Sequence, residues 1–138
     1  MIRKELLELI FEAASMQRWN DHIRPEHFSE LDKQAHKMFY AYVLAKIEET
    51  DHGAAINWPY LIEGGIYEFL HRIVLTDIKP PVYYILMAEK GEQLNEWVMT
   101  KLNDKVADIN TDFMHKMRSY YSMTAPSNLE KRILKAAH

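Results

Sequence analysis

The chain of 138 residues carries a net charge of −3, is 48% hydrophobic and 27% charged, and contains no cysteine. That length suits one hydrophobic core, the composition excludes a disordered polymer, and the missing cysteine excludes disulfides, thiolate nucleophiles and zinc–thiolate sites. A weakly acidic chain lacks the basic stripe of a duplex nucleic-acid binder, and no apolar run approaches the roughly 18 residues of a membrane span, so a cytoplasmic protein is expected.

Helical periodicity dominates from the first residues onward. Ile2, Leu6, Leu9, Ile10 and Ala13 predict a helix over residues 2–17, followed by a polar loop over 18–28 that holds Pro25. Ser29 and Asp32 form a near-capping box that opens a second helix, marked by Leu31, Ala35, Met38, Phe39, Tyr42, Val43 and Ile47 and ending near Glu49. Asn57 caps a third helix with Pro59 in its first turn, running to about Leu75. Gly64 and Gly65 inside it point to close packing against a neighbour, since each costs about 1 kcal/mol relative to alanine.

Pro80 and Pro81 then stop that helix. Residues 82–90 predict a fourth helix closed by Gly91, while Leu94, Trp97, Val98, Lys101, Leu102 and Val106 mark a fifth. Phe113, Met117, Tyr120 and Tyr121 mark a sixth, and Ser127 to Glu130 reads as a capping box for a last helix through Ile133 and Leu134. With only 4 Gly and 5 Pro and no strand signal, the expectation is a compact all-α fold: one domain of six or seven helices.

Nucleotide loops and catalytic elbows are missing, which leaves three clusters with chemical potential. Glu68 and His71, three apart on one helix face, can reach one metal ion; the commoner use of such a pair is a partly solvated face, here opposite Ile66, Leu70 and Ile73. Asp77, before the double proline, can hold a water or ligand at a cleft mouth, or simply end the helix. Arg18 beside Trp19 can grip a phosphate while the indole packs on a sugar or base; a loop tryptophan can also pin its loop to the core.

Taken in order, the Arg18-Trp19 pair, the Ser29-Glu30 helix start and the run Val74-Leu-Thr-Asp-Ile-Lys-Pro-Pro-Val82 resemble the 5′-deoxynucleotidase branch of the HD-domain phosphohydrolases. In that branch an Arg-Trp pair precedes a Ser-Glu-His helix start. A His-Asp pair leads into Thr-Gly-Asp-(Leu/Ile)-Pro-x-Pro-Val, and a last Asp lies in a Lys-x-Ala-Asp segment, to which Lys135-Ala-Ala-His138 is similar. The resemblance implies an all-helical, HD-like domain over residues 1–138 that removes phosphate from deoxynucleoside monophosphates with a divalent metal. Family members continue with more helix past the position of His138, so the chain is expected to lack those helices.

The family's ligand residues are replaced in this chain. Leu31 stands at the first His, Glu68 near the His-Asp pair, and His138 at the last Asp. Two alternatives stay open. In one the site is rebuilt, with His36, Glu68, His71 and His138 holding Mn, Fe, Co, Ni or Zn. Asp77 and His71 would then serve catalysis, and Arg18 and Trp19 would bind a small phosphorylated ligand. In the other the metal is lost, and the chain is a binding or oligomerisation module, a homodimer included, with an apolar patch around Tyr120, Tyr121, Ile133 and Leu134, residues whose commoner use is core packing.

Overall fold

The stretch Trp58–Leu75 is apolar on nearly every side, a pattern that places a helix inside a fold rather than on its surface. The structure is a computed structural model that describes residues 4–16, 29–75, 78–105, 111–122, 124 and 127–138. Six helices run through them: α1 (Lys4–Glu12), α2 (Glu30–His52), α3 (Trp58–Leu75), α4 (Pro80–Lys105), α5 (Thr111–Tyr121) and α6 (Leu129–Ala136). No strand occurs among the described residues, and the all-α expectation holds. None of these helices is long and apolar enough to cross a membrane.

The central helix α3 touches α2, α4, α5 and α6, and its Leu61, Leu70 and Ile73 are sealed from solvent with Leu102, Met117 and Leu134. Gly64 and Gly65 are what permit this crowding. A Cβ on Gly64 would lie 2.8 Å from the Tyr120 ring and 3.0 Å from Leu134 Cδ1, and one on Gly65 would collide with the Met38 thioether. The close packing expected of the two glycines is therefore present.

Local chemistry fixes the helix ends. Ser29 and Asp32 make the reciprocal capping box, Ser29 N–H donating to the carboxylate at 2.9 Å and Asp32 N–H to Ser29 Oγ at 3.1 Å. The second helix runs past Glu49 to His52, where Gly53 at φ 66° closes it with Ala54 N–H on the Glu48 carbonyl. Asn57 caps α3 by accepting from Tyr60 N–H at 3.1 Å. The last helix departs from expectation: Asn128, not Ser127, accepts from Lys131 N–H, and Glu130 turns away to take Asn57 N–H at 2.8 Å, tying α6 to the start of α3.

The boundary expected near Gly91 is present one residue earlier: Lys90 (φ −138°, ψ 28°) is non-helical and separates two helical segments within α4. A further expectation is corrected. Leu31 and Met38 of the apolar residues that mark α2 in the sequence pack against the core, but four others do not. Phe39, Tyr42, Val43 and Ile47 are exposed, while Glu30, Lys37, Ala41 and Ala45 turn inward. The small side chains at 41 and 45 let α2 lie close to α6 and α3.

Substitution at the two glycines separates rigid from yielding neighbours. Alanine gains about 1 kcal/mol of helix propensity at either site, and overpacking costs about 1–3 kcal/mol. The Tyr120 ring beside Gly64 is held in place, whereas Met38 beside Gly65 ends in a flexible thioether. Urea denaturation should show Gly64→Ala destabilised by about 1–2 kcal/mol and Gly65→Ala within about 1 kcal/mol of the native chain.

Candidate functional site

One helix face of α2 brings Glu30, Lys33, Gln34 and Lys37 into line, because residues three, four and seven apart share a side. The same spacing on α3 aligns Glu68, His71 and Arg72 opposite them. Between these faces lies a cavity of about 320 Å³, walled on a third side by Tyr83, Tyr84 and Met87 of α4 and at its back by Asn95, Tyr120 and Tyr121. His138 reaches its rim.

Glu68 is the centre of this arrangement. One carboxylate oxygen accepts from the Tyr120 hydroxyl at 2.6 Å and the other from the Lys37 ammonium. The Lys37 side chain is only 7% exposed and that of Glu68 32%, so the ammonium is largely desolvated and would be costly without its counter-charge, while the carboxylate keeps access to solvent. Tyr120 is held from its other side by Lys131, whose ammonium lies 4.6 Å over the ring and donates to the Tyr120 carbonyl at 3.0 Å. Burial, with the Glu68 carboxylate nearby, pushes the Tyr120 and Tyr121 hydroxyls far above the usual phenol range, so both remain donors.

A second network joins α3, α4 and α5. Asn95 donates its amide N–H to the Tyr121 carbonyl at 2.8 Å, which turns its side-chain oxygen toward His71 Nε2 at 3.0 Å. His71 Nε2 therefore carries a hydrogen and donates to that oxygen. Tyr121 closes the circuit by donating to the Tyr67 carbonyl at 2.5 Å. Burial holds the His71 ring below its ordinary pKa, and the Tyr121 ring stands edge-on to it at 5.0 Å.

The residues expected to share a metal are dispersed. His36 is exposed and its Nδ1 faces the Asp32 carbonyl of its own helix at 2.8 Å. Consecutive helical residues point about 100° apart, so once Lys37 turns inward His36 turns out. His138 Nε2 lies 3.0 Å from the Lys33 ammonium. Glu68 and His71 do line the cavity together, but both carboxylate oxygens of Glu68 and Nε2 of His71 are already engaged. Among the described residues no three His, Asp or Glu side chains gather in one group, and an ammonium pairs with Glu68.

Arg18, Trp19 and Asp77 lie outside the described residues. The expected docking patch is corrected: Tyr120, Tyr121, Ile133 and Leu134 are all buried in the core. Sequence reasoning missed Lys37, Asn95 and Tyr120 as site residues. The signal for Lys37 was its place seven residues after Glu30 and four after Lys33, on one stripe of the helix. Comparison with protein-family models, with curated proteins and with solved structures finds no match for this chain.

The buried imidazole gives stability a pH dependence of definite sign. Well above its ordinary value of 6.5 His71 is neutral in both folded and unfolded chains and contributes no slope. As the pH falls below 6.5 the unfolded chain takes up the proton first, so stability declines until the depressed folded value is passed. Denaturation midpoints measured from neutral to mildly acid pH should fall more steeply for the native chain than for His71→Gln, whose amide still donates to Asn95. Equal slopes would show that His71 titrates freely.

Proposed function

We propose that this chain is an HD-like helical module that binds a small phosphorylated ligand in the cavity between α2, α3 and α4, without hydrolysing it. The observation that carries the reading is the charge of that cavity. In a chain of net charge −3, its lining sets three permanent cations, Lys33, Lys37 and Arg72, against two carboxylates, Glu30 and Glu68. Its volume of about 320 Å³ falls at the small end of ligand pockets, which begin near 300 Å³. The cations gather on the α2 and α3 walls, while Tyr83, Tyr84 and Met87 offer an apolar and aromatic wall for the organic part of the ligand. Arg72 brings a planar fork suited to phosphate oxygens, and the lysines bring point charges.

Binding is as far as the reading goes. Attack on phosphorus needs an activated water, and the two side chains best spaced for that task are otherwise committed. Glu68 serves Lys37 and Tyr120, and His71 serves Asn95. Thermal denaturation with and without ligand tests the reading. A nucleoside monophosphate at about 100 times its dissociation constant should add roughly 2.7 kcal/mol, several degrees for a domain of this size, while the parent nucleoside adds little. Arg72→Gln should shrink the shift. Failure of every phosphomonoester to raise the midpoint would sink the proposal, and steady release of inorganic phosphate would sink its non-catalytic part.

A further inference from the structure

We infer that the cation anchoring an oxyanion in this cavity is Lys37 itself, covalently part of α2, and that binding here needs no divalent metal; the inference rests on the phosphate-binding reading above. The spacing of Glu68 and His71 suits a shared metal ion, yet the structure seats an ammonium on Glu68 instead. Lys37 is the eighth residue of a 23-residue helix, and its side chain is almost fully buried, so the charge is held inside the fold.

Its position is set by a chain of contacts. Glu68 accepts one ammonium N–H, the Tyr120 hydroxyl holds the other carboxylate oxygen at 2.6 Å, and the close approach at Gly64 backs the Tyr120 ring. An ammonium has three donors. Among the described residues Glu68 is the partner of one, so two remain for oxygens arriving in the cavity. Lys33 and Arg72, on the same two walls, add charge on either side.

A divalent ion entering the site would have to displace Lys37 from Glu68, leave a buried ammonium without its counter-charge, and sit beside that ammonium. Each of these is unfavourable in a low-dielectric setting. Lysine supplies the attraction that a metal would supply, as a point charge with fixed position. The site differs from a metal centre in one respect that can be measured: a chelator cannot strip it.

The test is calorimetric titration of the full chain with deoxyadenosine monophosphate and with inorganic phosphate, first in excess chelator and then with Mn²⁺. Affinities in the two conditions should agree within about twofold, and Lys37→Met, which keeps the side-chain length without the charge, should weaken binding by at least about tenfold. Lys37→Arg should retain part of the affinity, and circular dichroism checks that each variant is folded. If Lys37→Met fails to fold, the metal comparison on the native chain and the Lys37→Arg titration decide the matter. Binding that appears only with Mn²⁺, or that survives Lys37→Met in chelator at native strength, would overturn the inference while leaving a phosphate site in place. If neither probe binds under any condition, the phosphate-binding reading itself fails, and the inference with it.

Discussion

The carboxylate of Glu68 stands where three helices meet, and each of its oxygens answers to a different one: Lys37 on α2 and Tyr120 on α5, with the glutamate itself on α3. A partly buried ion pair of this kind is weak evidence for stability, because desolvating the ammonium offsets much of the attraction. What it does supply is geometry. Lys37 can be satisfied in one place, which sets the rotation of α2; Tyr120 can be satisfied in one place, which sets the depth of α5 against α3. The cavity is the space left between elements so positioned, and its charge pattern follows from that pair.

The inner face of α2 illustrates the trade. Turning Lys37 and Glu30 inward leaves Phe39, Val43 and Ile47 facing solvent on the other side of the same helix. On burial alone the opposite rotation would win, since each of those side chains would contribute about 1.5–3 kcal/mol if fully covered. The rotation observed instead lets Ala41 and Ala45 approach α3 and α6 closely and places the ammonium where a carboxylate and a phenol already wait. Gly64 extends the same logic to α3, where the absence of a side chain is what admits the Tyr120 ring.

Features decided within one turn of helix were legible in the sequence. The Ser29–Asp32 box, the Asn57 cap and the need for small residues at 64 and 65 all rest on neighbours a few positions away, or on glycine's cost in a helix. What could not be read were choices made across the fold. A lysine in mid-helix reads as solvent-facing, and the partner that pulls Lys37 inward is 31 positions away. Asn95 has no local signature; its role exists because the Tyr121 carbonyl and the His71 ring arrive on either side of it. Glu130 looked like half of a capping box, yet a free N–H on Asn57 lay within its reach. In each case a long-range partner outbid a local one.

The kink at Lys90 divides α4 into two limbs of different standing. Beyond it Gly91, Asn95, Val98, Met99 and Leu102 are buried, and that limb belongs to the core. Before it, none of the described side chains of residues 81–90 is buried, although Tyr83, Tyr84 and Met87 form a wall of the cavity. A helix this short is marginal when it must rely on its own hydrogen bonds, below the roughly 12–15 residues that isolated helices need. Its tie to the core is Tyr83, which packs against the buried cluster and stands edge-on to the His71 ring. On the proposed binding reading, a ligand in the cavity would add contacts to the least covered stretch of α4 and so stiffen its own wall.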